Sequence, residues 1–379
     1  MNTKVNNRNK SIQKVISGFI GFSAFVLFAQ PVTAATFTVR SRADMPDILP
    51  GDGVCVANVN FFGKTYELCT LRAAIMEANA YPGADIINLR WATYRLDYHA
   101  DGQYNVDESD GVVGDLDITD KLTINGVSKE KTIIDAEDLG ERIFDIHDGS
   151  VVTLNNMTLK NGSALGDMFD DDAYNDLAMV FEQDLVEWSC PIREPADMAG
   201  GGGVLNRGGI VFVNQVRFEH NLAICDGGGA DNILDGILWI TESEFVENVA
   251  IANGGGIEND DDSILSVADS MFSLNNAYEN GGALSADDSL TMVNGCNFTM
   301  NVAQHYGGAI WNGDSDAMLL RNVEVTFNEV PNTYMSDGGG IFNNDGFILF
   351  TGTNSIIWNS PNDYVDWNEP EGLPWVNDR

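Results

Sequence analysis

Beyond Lys160 the chain contains no lysine, and its arginines there are only Arg193, Arg207, Arg217, Arg321 and the terminal Arg379. Basic residues number 20 against 57 acids, giving a formal net charge of −37. This shortage excludes whole classes of partner. A surface so acidic repels nucleic acid and anionic lipid, and repels acidic polysaccharides unless cations bridge the two. It also argues against a lyase on an anionic polymer, which needs a base and clustered cationic groups to neutralise a substrate carboxylate. Histidine is scarce as well: His99, His147, His220 and His305 form no spacing such as H-E-x-x-H, so no zinc signature exists. No G-x-S-x-G elbow and no G-K-[ST] phosphate loop occurs. After the first 35 residues no apolar run approaches transmembrane length.

The start of the chain lacks acids instead. Lys4, Arg8, Lys10 and Lys14 precede the apolar run Val15 to Ala29 and the small residues Thr33 to Ala35. That order predicts a secretory signal peptide over residues 1–35, cleaved after Ala34 or Ala35, and a soluble mature chain outside the cell or on its surface. Export permits disulfides. Of five cysteines, Cys55 and Cys69 flank a short loop and are the favoured pair, with Cys190 and Cys225 as a weaker one. Cys296 occupies a repeat position held elsewhere by Val216, Ser243 and Ser270, which suits a small packed side chain.

Four stretches differ in character. Residues 36–110 are mixed: Leu71, Ala74, Ile75, Ala78 and Asn79 fall at helical spacing, Pro82-Gly83 ends the run, and a strand is expected over Asp85–Leu89. Residues 111–360 read as short strands between Asp, Asn and Gly turns. An acidic insertion over 163–199 interrupts them, and 361–379 forms a tail or cap. From Gly201 a repeat takes over, with Gly-Gly starts at Gly201, Gly227, Gly254, Gly281, Gly307 and Gly338. Each copy leads through a strand to Phe218, Phe245, Phe272 or Phe298, then three residues later to Asn221, Asn248, Asn275 or Asn301. Val325 and Asn328 take these places in a fifth copy. A period of this size without long helices predicts an all-β solenoid. Stacked coils make equivalent positions vertical neighbours about 4.8 Å apart. Phenylalanines then form a ring ladder, asparagines an amide ladder, and glycines the positive-φ corners. A second set, Asn206, Asn232, Asn259, Asn312 and Asn343, suits a left-handed turn position.

The copies GGGV, GGGI, GGAL and GGAI, with FEHN, FVEN, FSLN and FTMN, resemble the repeats of chlamydial polymorphic outer membrane proteins. The stretch CTLRAAIMEANAYPGADIINL, Cys69 to Leu89, is similar to the CSLREA domain of bacterial surface proteins, with Ala73 in place of that family's glutamate. GDGVC (Gly51 to Cys55) and GDLDI (Gly114 to Ile118) fit the same family. The resemblance implies a right-handed parallel β-helix of the pectin-lyase type, with residues 36–110 as its N-terminal cap. It also implies adhesion or display at a cell surface, towards a host or neighbour-cell surface, matrix or glycan, with no catalysis and no cofactor.

A rival reading is a polysaccharide hydrolase (or lyase) on the same fold, because that fold also carries enzymes. Its candidate carboxylates are the turn acids Asp261, Asp262, Asp287 and Asp288, stacked on neighbouring coils. A third reading is a structural surface protein stabilised by calcium, held by Asp260, Asp261, Asp262, Asp287, Asp288 and Asp314. Asp316 and, in the insertion, Asp167, Asp170, Asp171 and Asp172 carry the same chemistry. Asp in turns after Gly-Asn is equally what a solvated corner selects.

Overall fold

Alternation decides the architecture. In Ile264–Ala268 the residues Leu265 and Val267 are buried while Ile264, Ser266 and Ala268 keep some exposure, and every neighbouring coil repeats that pattern. The computed structural model describes residues 34–98, 112–164, 199–313, 317–331 and 337–366. They form a parallel β-solenoid of about eight turns, and their regular structure is nearly all strand. The predicted signal peptide up to residue 33, most of the 163–199 insertion and the tail beyond 366 lie outside the described residues.

One coil illustrates the rest. Ile257–Asn259 belongs to a nine-stranded sheet, Ile264–Ala268 and Met271–Ser273 to a 17-stranded sheet, and Asn276–Ala277 to a five-stranded one. Each strand pairs in parallel with its equivalent one coil on: Ile257 with Leu284, Ile264 with Leu290, Phe272 with Phe298, and Asn276 with Val302. The main core runs through the coils from Phe37 to Ile341, and Ala199, Ile224 and Cys225 form a small second cluster.

Both predicted ladders stand. Phe218, Phe245, Phe272 and Phe298 are fully buried, with successive ring centroids 4.4, 4.8 and 4.7 Å apart and near-parallel planes. Full burial of each ring contributes about 2–3 kcal/mol. The Asn248 amide donates to Asn275 Oδ1 at 2.9 Å and to the Phe218 carbonyl at 3.0 Å. Asn221, Asn275, Asn301 and Asn328 repeat the arrangement. No buried amide in the column is left unmatched on its donor side, and a register slip would break every bond at once. Close approach of neighbouring backbones requires glycine at the corners. Gly254 has φ +64°, and a Cβ on Gly255 would sit 2.4 Å from the Gly282 carbonyl oxygen.

The second asparagine set departs from expectation. Asn206, Asn232 and Asn259 lie within strands and face the core, where Asn206 donates to Asn232 at 2.6 Å and Asn232 to Asn259 at 2.7 Å. They are a buried amide ladder. The left-handed positions fall just after them, at Leu234, Asp235, Asp261, Asp262, Asp288 and Asp345. An amide flanked by identical amides above and below gains more inside the sheet than at a solvated corner.

The N-terminal region is built differently. Helix α1 (Leu71–Ala80) starts at Thr70, whose hydroxyl accepts the Ala73 N–H, and it is buried along nearly its whole length. Arg72 is fully buried and pairs bidentately with Asp44 at 2.8 and 2.9 Å, while also donating to the carbonyls of Gly114 and Asp115. Glu77 accepts the N–H groups of Gly51 and Gly53 at 2.6 and 2.5 Å, which is what the GDG loop is shaped to offer. Ala73 is fully buried at the position where the resembling family has glutamate. The expected strand occurs as Ala84–Asn88 and pairs with Lys121–Asn125, so the long sheet already begins inside 36–110. Cys55 and Cys69 are bonded, with an S–S distance of 2.06 Å. Cys225 is disulfide-bonded; its expected partner Cys190 lies outside the described residues. Cys296 is free and buried, and burial pushes its thiol up to about 11.

Candidate functional site

The outward face of the nine-stranded sheet collects the chemistry. Because strand residues alternate, Ile257 and Asn259 point inward, so Glu258 and Asp260 share the outer face. Parallel register stacks Asp117 on Asp145, Asp145 on Leu205, Leu205 on Asp231, Asp231 on Glu258, and Glu258 on Ser285. Two clusters result.

The first cluster mixes acids with bases. Asp145 receives Arg207 through Nε at 3.0 Å and Nη2 at 2.5 Å, and Arg142 through Nη1 at 3.3 Å. His147 Nε2 lies 2.5 Å from Asp117 Oδ1, and that hydrogen bond, opposed by burial, raises the imidazole above its ordinary value. Burial, chiefly, holds the Asp115 carboxyl well above the usual carboxylate range. Arg142 pulls the other way, and Asp117, Asp145 and Glu141 push further up. Among the described residues, Asp117, Asp145 and His147 are the group whose metal-ligating atoms all lie within 4.8 Å of one another. The set does not suit a cation: both guanidiniums already neutralise Asp145, and Arg207 Nη2 stands 3.4 Å from His147 Nε2.

In the second cluster Glu258 stands beside other acids. Glu258 is 3% exposed; its Oε1 accepts from the Ser285 hydroxyl at 3.2 Å, and its Oε2 has no hydrogen-bond partner. Burial raises its carboxyl well above the normal range, and Asp226, Asp260 and Asp231 raise it further. Asp226, which accepts the Asn253 N–H at 2.8 Å, is pushed up to about 6, mainly by burial. Asp260 is pushed up to about 7 by burial, against the Asp261 N–H it accepts at 2.6 Å and with Asp261, Asp287 and Asp226 adding repulsion. Asp231 is buried against Gly200, where a Cβ would come within 2.0 Å of its Oδ2.

The residues singled out from sequence divide accordingly. Asp261, Asp262 and Asp288 are exposed corner residues with φ of 53°, 59° and 38°. Asp260 and Asp287 are partly buried on the outer sheet face, and Asp287 stacks on Asp260 through its N–H to the Asn259 carbonyl. Asp314, Asp316 and the insertion's Asp167, Asp170, Asp171 and Asp172 lie outside the described residues, as does His99. His220 is exposed and bonds to Glu247 at 2.5 Å. Sequence reasoning missed Asp226, Asp231 and Glu258, although a signal was present. Asp231 and Glu258 each directly precede a ladder asparagine, and strand alternation sends that neighbour outward. The arginines look scattered along the chain, whereas one turn of the solenoid brings Arg207 onto Asp145, 62 positions away.

Comparison with known protein families, with curated proteins and with solved structures yields no match for this chain.

Proposed function

We propose that the protein is an exported surface β-helix that works by binding and display, a member of the polymorphic-repeat and CSLREA-domain group that its motifs resemble. One observation carries the reading. At the bend after each short strand that carries Phe218 or its equivalent, the backbone is left-handed; His220 and Glu247 fill it in the earlier coils, and four successive later coils fill it with Leu274, Met300, Phe327 and Trp358 at φ 59°, 55°, 58° and 62°. These side chains are 47, 53, 54 and 68% exposed. A bulky residue at positive φ costs about 1–2 kcal/mol relative to its ordinary conformation, and exposed apolar surface gives nothing back without a partner. In the neighbouring left-handed column the residues are polar: Gln215, Glu242, Asp269 and Asn322. The apolar ridge therefore reads as a contact surface, extended by the stacked pair Phe327 and Trp358 with centroids 5.2 Å apart.

The outer face of the long sheet supports the same reading. Ile210, Ile237, Ile264 and Leu290 stack outward in register, beside Phe212 on Trp239, whose rings meet edge-to-face at 4.9 Å. Flat aromatic and aliphatic surface on an acidic protein selects a partner that is neutral or basic: a glycan, a matrix component or a cell surface without strong negative charge.

The test replaces ridge residues by one that tolerates the left-handed backbone. Met300→Asn, Phe327→Asn and Trp358→Asn together are expected to abolish binding on a neutral-glycan array and on intact cells, while the melting temperature holds or rises. Undiminished binding by the triple variant would sink the proposal. The rival hydrolase reading is favoured by the Asp260 carboxyl, raised to about 7 as a general acid requires. Reducing-sugar release from neutral polysaccharides, lost in Asp260→Asn, would establish it.

A further inference from the structure

We propose that Asp226, Asp231, Glu258 and Asp260 form a binding site for a hard divalent cation of the calcium class, set across two adjacent coils of the nine-stranded sheet. The argument starts from what a buried carboxylate requires. Taken out of water, it needs a positive partner or a full set of hydrogen bonds. Glu258 has neither at Oε2, although it is 3% exposed, and its strongest electrostatic neighbours are three more acids. On the same sheet face, Asp145 meets the same need with Arg142 and Arg207. Among the described residues no cationic side chain pairs with Glu258, so the missing positive charge is supplied from solution.

The donor set points to a particular ion. Every group offered is a hard oxygen: carboxylates from Asp226, Asp231, Glu258 and Asp260, and the Ser285 hydroxyl already hydrogen-bonded to Glu258. Oxygen-only, flexible and multidentate coordination suits calcium better than zinc or copper. The backbone beneath is rigid, with Ala230 to Asn232 in register with Ile257 to Asn259. The carboxylates are spread over two coils, at a wider spacing than the Asp117, Asp145 and His147 group. Ligands spread over two coils place the affinity of the proposed site in the range of extracellular calcium modules, about 0.1–1 mM. Because protons compete for the same oxygens, affinity rises with pH.

This location differs from the one the turn acids suggest. Asp261, Asp262 and Asp288 point into solvent at corner positions. They repel anions but do not enclose an ion.

The test uses the full mature chain, stripped with chelator and titrated calorimetrically with calcium chloride at pH 7.5. Melting temperature is followed in parallel, with magnesium chloride and sodium chloride as comparisons. Saturable calcium binding and a melting temperature raised by the ion and lowered again by chelator are expected. Glu258→Gln, alone and with Asp226→Asn, is expected to weaken binding by about tenfold or more without lowering the ion-free melting temperature. Asp261→Asn with Asp288→Asn should bind like the native protein. Absence of saturable binding by the native chain overturns the proposal. So does full affinity in the folded Glu258→Gln variant, or loss of binding in the corner variant instead.

Discussion

Two clusters occupy one outward column of one sheet, and they solve the same electrostatic problem differently. Around Asp145 the acids are met by Arg142, Arg207 and the imidazole of His147. Around Glu258 the acids meet one another, and the carboxyls of Asp226 and Asp260 are driven up to about 6 and about 7. The strands beneath are equivalent, so backbone geometry does not distinguish them. The difference lies in side-chain charge alone. A buried acid next to arginine is a fastening; a buried acid among acids draws in a proton or a cation.

The sharpest way to break the comparison is to damage what both clusters share. Phe272→Ala removes one rung of the ring ladder under the sheet and is expected to cost about 3–5 kcal/mol in urea unfolding. Next comes Arg207→Met, which strips Asp145 of its bidentate partner and should cost about 3 kcal/mol. Adding Asp145→Asn to that variant should restore part of the loss, which no cavity effect would do. Glu258→Met asks the converse question. Where Arg207 is needed, Glu258 is not, so without added ion this change is expected to be neutral or stabilising by about 1 kcal/mol. A loss of stability would place Glu258 among the fastenings.

Acidity sharpens the contrast further. The folded forms of Asp226, Glu258 and Asp260 hold protons that the unfolded chain has released above about pH 4. Their contribution is therefore present at low pH and is lost as pH rises from about 4 towards 7. His147 acts in the same direction: its raised imidazole favours the folded state below about 6.5 and that gain disappears as pH rises through the folded value. In ion-free solution the melting temperature should fall across this window. Glu258→Gln with Asp226→Asn and Asp260→Asn flattens the fall, while His147→Gln removes only its upper part. The smallest effect belongs to the corners, where Asp261→Asn should change stability by no more than about 0.5 kcal/mol.

Much of the scaffold is legible in the sequence because its signals are local and periodic. Phe245, Asn248 and Gly254 recur at one spacing, and a side chain stacked on its own copy has the same need in each coil. The helix after Thr70 is equally readable, from apolar spacing and a proline-glycine stop. The site is less so. Asp260 reads as a turn acid, yet it shares the outer sheet face with Glu258, and Asp261 and Asp262 alone hold the turn. Glu258 reads as one more outward polar strand residue, because its place before a ladder asparagine marks its face but not its burial.

By itself the sequence determined the solenoid, its register and its ladders, because repetition makes each coil the template for the next. It also settled the excess of acid. Only the tertiary structure decided which acids meet arginine and which meet other acids. Whether a carboxylate is compensated depends on what arrives from another coil, 27 positions away for Glu258 and Ser285, or 62 for Asp145 and Arg207. Charge interactions reach across space and carry no periodic trace along the chain, so stacking had to be complete before Arg207 could be seen to reach Asp145, and Asp226, Asp231 and Asp260 to act on Glu258.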